Sequence, residues 1–176
     1  MNKMNTFLKD KYDMKEFNHV SLSNPIPDVS TETIKGKRFY VTPEGKKYPS
    51  ITTVLSGRNS EGLVRWRQSV GNDVANNIMR TAAKRGTAVH TLVENYLNNE
   101  ELSNQDVLPT ALFTLLKPEL DNINNIRIQE GGLYSDYYGV AGRVDCIADY
   151  KGVLSVIDFK TSTKEKKEEW VENYFI

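Results

Sequence analysis

The stretch from Gly142 to Ser162 constrains the fold of this chain more than any other. Apolar residues cluster on both sides of Tyr150-Lys151-Gly152, which predicts two strands joined by a short turn. Gly152 can take the positive φ that a tight hairpin requires. We therefore expect an antiparallel hairpin that turns near Lys151.

Three charged residues, Asp145, Asp158 and Lys160, interrupt the apolar pattern of this hairpin. A charge in a buried strand is unfavourable unless it is paired or bound to a metal. Asp145 and Asp158 should lie roughly opposite each other, and two such carboxylates repel unless a cation lies between them. Lys160 points to the same side as Asp158 because side chains alternate along a strand. The hairpin predicts a divalent-metal site with a positive group beside it.

Composition narrows the class of protein. The 176 residues suffice for one domain with a core, and Lys+Arg and Asp+Glu balance at 23 each, so net charge indicates no partner. The single cysteine, Cys146, excludes an intrachain disulfide framework and a four-cysteine zinc or iron–sulfur site. No apolar run is long enough to span a bilayer, and the acidic N-terminus does not resemble a signal peptide. We expect a cytoplasmic protein of a bacterial or phage-infected host cell.

The chain order predicts an α+β fold in which residues 1–35 form an N-terminal extension. A hairpin is expected across residues 38–55, although Ser50 could instead cap a short helix there. Apolar periodicity and turn residues predict the remaining elements. These are helices at 61–68, 73–96 and 107–124, strands at 126–130 and 133–137 separated by Gly131-Gly132, and a C-terminal helix after residue 163.

Two residues interrupt the predicted helices. Gly86 costs about 1 kcal/mol relative to Ala, which suggests a break with Thr87 as the next N-cap, or a close backbone approach. Pro118 predicts a break or kink in the third helix.

The long helix carries the other candidates for chemistry. Basic residues concentrate between Arg58 and His90, which indicates either a solvated helix face or a surface for phosphates. His90 follows an apolar neighbour, and such a residue is either a hydrogen-bonded core histidine or a metal ligand. Trp66 is either a core residue or a nucleic-acid contact.

Four motifs in this order resemble the PD-(D/E)XK nuclease superfamily in its RecB-like branch. They are Pro49 to Leu55, Gly86-Thr87-Ala88-Val89-His90, Gly142 to Asp145, and Asp158-Phe159-Lys160. Within that branch, Gly139 to Ser162 most resembles the mitochondrial genome maintenance exonucleases and their phage relatives. The resemblance implies a nuclease domain over residues 36–176, built on a central mixed β-sheet flanked by helices, as in restriction endonucleases.

The resemblance also implies roles for individual residues. Asp145, Asp158, His90 and the main-chain carbonyl of Phe159 would bind one or two Mg²⁺ or Mn²⁺ ions. Lys160 would orient or deprotonate the attacking water and stabilise charge on the scissile phosphate.

Further residues have two interpretations each. Glu130 matches an acid in the closer relatives and would bind metal or position its strand, whereas Glu94 would orient the His90 ring or simply face solvent. The residues expected to contact DNA are Lys84, Arg85, Arg143 and Ser162.

Two features differ from the branch. Its usual glutamine after the lysine strand is missing, since no Gln follows Lys160, so we expect this domain to be truncated at its C-terminus. The four-cysteine iron–sulfur staple of some members is also missing.

These observations favour a metal-dependent DNA exonuclease that acts on single strands or DNA ends in replication, repair or recombination. A restriction-like endonuclease on the same core is the first alternative. The second is a catalytically silent nucleic-acid-binding module, and a purely structural protein ranks last because it leaves the three strand charges unexplained.

Overall fold

The computed structural model describes residues 15–56, 60–102 and 106–162. Its strands form two three-stranded sheets, in the orders β1-β2-β3 and β4-β5-β6. The strands are β1 (Ser30–Ile34), β2 (Lys37–Val41), β3 (Lys47–Pro49), β4 (Ile123–Ser135), β5 (Val140–Tyr150) and β6 (Val153–Ile157). The helices are α1 (Ile51–Leu55), α2 (Ser60–Val70), α3 (Asn72–Leu97) and α4 (Val107–Leu120). The predicted α+β class is confirmed.

The chain divides into two compact units, and the first holds the main hydrophobic core. This unit contains residues up to Asn24, Thr81–Gly131 and Val144–Thr161. Its core packs the C-terminal half of α3 against α4 and the strands that follow. Tyr96 lies at its centre, with its ring edge-to-face with Phe17 at 4.9 Å and with Phe113 at 5.4 Å. Each such ring pair contributes about 0.5–1.5 kcal/mol beyond the apolar area that it buries.

The second unit contains Pro25–Arg80 and Gly132–Arg143 among its segments. Its sheet is antiparallel, and β2 and β3 form the predicted hairpin, although the second strand ends at Pro49 and does not continue to residue 55. The alternative helix is also present, because α1 begins directly after this hairpin. The Ser50 side chain accepts a hydrogen bond from the Thr53 amide at 3.1 Å and so caps that helix.

The β5–β6 hairpin confirms the central sequence prediction. Its antiparallel register runs from Tyr150 paired with Val153 to Cys146 paired with Ile157. Lys151 and Gly152 form the turn with φ values of 50° and 82°. Positive φ at both central residues is typical of the type I′ turn, whose twist matches that of the flanking strands.

Strand β4 is continuous, so the prediction of two strands separated by Gly131-Gly132 is wrong. Gly132 does not break the strand because its role is steric. A Cβ atom at this position would lie 2.0 Å from Cγ2 of Val29. The glycine therefore permits a close approach of Val29 rather than a turn.

Helix α3 is also continuous, so the predicted break at Gly86 with Thr87 as a new N-cap is wrong. The alternative, a close backbone approach at Gly86, is not supported either, because the nearest neighbour is a side-chain atom at an ordinary distance. A Cβ atom on Gly86 would lie 3.8 Å from Oγ1 of Thr161, which is an ordinary van der Waals contact. Helix α4 similarly includes Pro118 in its last turn and ends at Leu120, earlier than the sequence predicted.

Other predictions fall partly outside the described residues. The predicted C-terminal helix and the first part of the predicted N-terminal extension lie outside them. The region predicted as an N-terminal extension contributes to the fold, because Phe17 is buried in the core and β1 ends at Ile34. The domain boundary at residue 35 stays a prediction. In the described part of the chain, no helix combines the length and the apolar character needed to cross a membrane. Cys146 is fully buried, and burial raises the pKa of its thiol to about 11.

Candidate metal centre

His90, Glu130 and Asp145 come together within the first unit, although they lie far apart in sequence. One potential ligand atom from each lies within 4.8 Å of the other two. The Nδ1 atom of His90 is 3.6 Å from Oε1 of Glu130 and 3.8 Å from Oδ2 of Asp145. These side chains are 28%, 20% and 14% exposed respectively, so the group is shielded from most solvent but is not sealed.

Each residue reaches this position from a different element. His90 lies on α3 next to Val89, which is buried in the core. Asp145 lies on β5 next to Cys146, another core residue. Core packing on both sides therefore fixes the backbone from which the imidazole and this carboxylate extend.

Glu130 is placed by an unusual backbone conformation. It lies within β4 with a φ of 48°, in the left-handed region that non-glycine residues rarely adopt. Such a conformation costs of the order of 1–3 kcal/mol, and it changes the direction of a side chain relative to the regular alternation of a strand. The cost is incurred at the residue whose carboxylate lies beside His90.

The main chain of Phe159 joins two members of the group. Its amide donates a hydrogen bond to Oδ2 of Asp145 at 2.8 Å. Its carbonyl oxygen lies 2.7 Å from Nε2 of His90. The rings of Phe159 and His90 also meet edge-to-face, with centroids 6.2 Å apart. One residue therefore orients both the imidazole and a carboxylate.

The electrostatics of the group favour a cation. Burial raises the pKa of Asp145 above its ordinary value, while the Phe159 amide, His90 and Lys160 act in the opposite direction. Burial disfavours the ionised form because it removes water that would otherwise solvate the charge. A divalent cation beside Asp145 and Glu130 would replace that lost solvation.

Asp158 and Lys160 flank Phe159 in the sequence, and their side chains contact each other. The β5–β6 register, continued by one position, places Asp158 opposite Asp145, as the sequence predicted. The Asp158 carboxylate pairs with the Lys160 ammonium, and their side chains are 43% and 40% exposed. Asp158 therefore lies outside the three-residue group, and its role as a metal ligand stays a prediction.

The other residues of α3 with a predicted role at the site differ in their burial and in their partners. Glu94 is half-buried one helical turn after His90, and its carbonyl oxygen accepts a hydrogen bond from Nε2 of Gln129 at 3.4 Å. Lys84 is exposed, with its ammonium 3.7 Å from Asp106. The Nε atom of Arg85 is buried and has no hydrogen-bond partner among the described residues.

The remaining predicted DNA contacts belong to the second unit. Arg143 and Ser162 are exposed there, and Trp66 is half-buried on α2. Half-burial is compatible with either interpretation of Trp66.

The sequence did not indicate one contributor, the amide of Phe159. Its hydrogen bond to Asp145 comes from the main chain, so no side-chain pattern marks it. The only available signal is its position between Asp158 and Lys160, directly after a strand that pairs with the strand of Asp145.

The donor set fits a divalent cation. Carboxylate oxygens suit Mg²⁺ and Mn²⁺, and an imidazole nitrogen shifts the preference towards the transition metal. The three side chains leave coordination positions for water or a phosphate oxygen. The arrangement can therefore hold a Lewis acid.

Comparison with known proteins identifies two distant relatives that share one name. The chain is 27% identical to human mitochondrial genome maintenance exonuclease 1 over 129 residues, which cover 67% of the chain and 38% of the relative. It is 26% identical to the mouse protein of the same name over 160 residues, which cover 85% of the chain and 46% of the relative. No protein-family model matches the chain. The predicted similarity to this exonuclease group is thus confirmed as a distant relationship, and the PD-(D/E)XK assignment stays a prediction.

The chain spans less than half the length of these relatives.

Proposed function

We propose that this chain is a metal-dependent nuclease that hydrolyses phosphodiester bonds of DNA, acting as an exonuclease on single strands or free ends. The observation that carries the proposal is the convergence of His90, Glu130 and Asp145, with potential ligand atoms within 4.8 Å of one another. The similarity to two proteins named exonucleases supports the choice of reaction.

The three side chains would hold Mg²⁺ or Mn²⁺, one ion or two. When bound, such a cation polarises a phosphate oxygen and lowers the pKa of a coordinated water. Glu130 and Asp145 supply negative charge to retain it, and the Phe159 amide keeps the Asp145 carboxylate oriented at 2.8 Å. No cysteine participates, since Cys146 is buried in the core, so no iron–sulfur cluster is part of the proposal.

Lys160 would orient the attacking water and stabilise charge on the phosphate in the transition state. The Asp158 carboxylate pairs with this ammonium and so keeps the positive charge of Lys160 at the end of the β5–β6 hairpin. The resemblance adds Asp158 and the Phe159 carbonyl to the ligand set. The register position of Asp158 opposite Asp145 supports that part of the proposal.

Basic and polar side chains would bind the DNA backbone. Lys84 and Arg85 precede His90 on α3, so a phosphate that they bind lies near the metal ligands along the same helix. Arg143 and Ser162 flank the acidic residues of the hairpin in sequence and are exposed. The nuclease domain would comprise residues 36–176, with a role in replication, repair or recombination.

A labelled linear single strand tests the proposal directly. We expect release of nucleotides in the presence of Mg²⁺ or Mn²⁺, with no release after chelation by EDTA. Asp145→Asn should abolish the activity, whereas Asp136→Asn should preserve it because Asp136 is an exposed carboxylate paired with Lys46 in the second unit. Equal activity of both variants would contradict the proposed centre.

A covalently closed single-stranded circle separates the proposal from its alternatives. An exonuclease leaves the circle intact, whereas a restriction-like endonuclease opens it. DNA binding without metal-dependent cleavage of either substrate would instead support a silent nucleic-acid-binding module.

A further inference from the structure

We propose that the rings of Tyr137 and Tyr138 stack on the unpaired bases of single-stranded DNA. Both tyrosines lie in the β4–β5 turn, residues 136–139, within the second unit. The proposal rests on the proposed function, and it names a surface with which such a nuclease would recognise an unpaired strand. Neither tyrosine belongs to the four sequence motifs or to the three-residue group of the metal centre.

The first observation is the exposure of the two rings. Tyr137 is 88% exposed and Tyr138 is 74% exposed, so neither ring contributes to the core. An aromatic side chain that is buried removes about 150–250 Å² from water, and this burial is its usual contribution to stability. The chain leaves most of that surface in water at two adjacent positions, where a ligand can cover it.

The second observation is that the turn holds both tyrosines in a defined position. The carbonyl oxygen of Ser135 accepts a hydrogen bond from the Gly139 amide at 2.9 Å, and its hydroxyl accepts one from the Tyr138 amide at 3.2 Å. The two tyrosine rings meet edge-to-face, with centroids 4.8 Å apart. A platform that is ordered before binding loses little conformational entropy when a base stacks on it.

The third observation is that neighbouring side chains anchor the turn and offset its acidic charge. Asp136 accepts a hydrogen bond from the Tyr48 hydroxyl, and its carboxylate lies 2.8 Å from the Lys46 ammonium. The Tyr48 ring stacks on Tyr134, with centroids 6.0 Å apart and planes inclined by 21°. The acid of the turn is thus paired with a lysine, which reduces its repulsion of phosphates, and the exposed Arg143 adds a cation in the same unit.

The size of the platform favours a nucleobase over a protein partner. Two tyrosine side chains offer at most about 300–500 Å². A stable protein–protein interface buries roughly 800 Å² on each partner. Asp136 and Gly139, the other residues of the turn, add little apolar surface. One base needs only one ring face, and stacking tolerates any sequence because every base has a π face. In a duplex the bases already stack on one another, so the platform favours single strands.

Fluorescence anisotropy with a short labelled oligothymidylate tests the proposal, in EDTA so that the strand stays intact. The double variant Tyr137→Leu/Tyr138→Leu keeps apolar side chains but loses both rings, and its Kd should rise by about tenfold. Tyr137→Phe/Tyr138→Phe keeps both rings and should bind like the original protein. An abasic oligomer of equal length keeps the phosphates without the bases, so the original protein and the leucine variant should bind it equally.

Equal Kd values of the original protein and the leucine variant for oligothymidylate would overturn the inference, as would no binding by either. An equal loss on the abasic oligomer would do the same, because the effect would then not involve the bases. If the leucine variant changes the oligomeric state in sedimentation and keeps its affinity for DNA, the tyrosines join two copies of the chain and the inference is wrong. Thermal melts check the fold, and the Tm should stay unchanged because both side chains are exposed.

Cleavage of a linear single strand in Mn²⁺ separates this inference from the proposed function. The leucine variant should raise KM by about tenfold with kcat unchanged, because stacking contributes equally to substrate and transition-state binding. Tyrosine-dependent DNA binding without any cleavage would support the platform and contradict the nuclease. Cleavage with the same KM in both proteins would support the nuclease and overturn the platform.

Discussion

One position beyond the last pair of the β5–β6 register, Asp145 lies opposite Asp158, and the two side chains have different partners. Asp145 accepts a hydrogen bond from the Phe159 amide and lies near His90, whereas Asp158 pairs with Lys160. The two acids of one hairpin therefore belong to different electrostatic environments. Substitutions can separate their contributions to metal binding, turnover and stability.

Asp145→Asn should stabilise the metal-free protein while removing its response to metal. Burial raises the pKa of Asp145 from 3.8, so the folded state binds this proton more tightly than the unfolded state. The contribution of the carboxyl to stability is thus lost as the pH rises from 3.8 through the raised pKa, and asparagine avoids that loss at neutral pH. Thermal melts at pH 7 should show a higher Tm for the metal-free variant.

Metal should reverse the order of stability, so that the original protein becomes more stable than Asp145→Asn. At a Mn²⁺ concentration about 100-fold above Kd, the original protein gains about 2.7 kcal/mol and the variant gains much less. A metal-free variant less stable than the original would contradict the assigned pKa direction.

Glu130→Gln should lower Mn²⁺ affinity by about tenfold or more, because the variant loses a charged ligand and keeps a side chain of equal size. Isothermal titration calorimetry measures the effect. Glu119→Gln is the matched control, since Glu119 is 58% exposed and pairs with Lys151 outside the centre. Equal affinities of the two variants would assign Glu130 a purely structural role in its strand.

Lys160→Met should reduce turnover by about 100-fold or more without weakening metal binding. The methionine keeps much of the side-chain volume and removes the ammonium, and loss of a neighbouring cation reduces repulsion of the metal. Lys151→Met, at the turn of the same hairpin, provides the control and should retain activity. Single-turnover cleavage assays combined with calorimetry distinguish this outcome from a loss of metal, in which both quantities would fall.

Gly132→Ala should destabilise the protein by about 1–3 kcal/mol. The added Cβ would lie 2.0 Å from Cγ2 of Val29, which is too short for any non-bonded contact. The second substitution Val29→Ala removes that methyl group and should restore part of the loss in urea unfolding.

Gly62→Ala is the control for Gly132→Ala, because it adds a methyl group at a position without a steric clash. A Cβ atom on Gly62 meets nothing within 4 Å in helix α2, so this variant should gain about 0.5–1 kcal/mol from helix propensity. Destabilisation of both variants by the same amount would show that the contact with Val29 is not the cause.

Gly86→Ala should be tolerated and should raise stability by up to about 1 kcal/mol. Its Cβ would meet Oγ1 of Thr161 at 3.8 Å, so the position accepts a methyl group within a continuous helix. Gly86→Leu should be less stable because a larger side chain must displace Thr161. Thermal melts of both variants provide the measurement, and a destabilised alanine variant would reveal a tighter approach than this distance indicates.

The parts of the fold predicted correctly are those specified by neighbours in sequence. The β5–β6 hairpin depends on alternating apolar residues and a turn at Lys151-Gly152, and both signals are local. Ser50 marks the start of a helix for the same reason, since its partner Thr53 is three residues away. Helix α3 was predicted from apolar periodicity along its whole length, but the two ends differ in burial. Val89, Val93 and Leu97 are buried, whereas Val74 and Ile78 are 52% and 47% exposed.

The errors arise where a distant residue determines the outcome. Gly132 was interpreted as a break because glycine ends many strands. Its small size is instead required by the side chain of Val29, which is far away in the sequence. At the site, it was the family resemblance, and not the residue types alone, that implied a shared role for His90 and Asp145. The left-handed backbone of Glu130 and the two main-chain contacts of Phe159 have no signature in side-chain identity.

The environment of Cys146 has a practical consequence for future measurements. Its thiol is fully buried and has a pKa of about 11, so at neutral pH almost none of it is the thiolate that reacts with maleimides or methanethiosulfonates. A cysteine introduced at Tyr137, which is 88% exposed, can therefore carry a fluorophore or spin label while the native cysteine stays in place. The chain accepts site-specific probes without replacement of a residue in its own core.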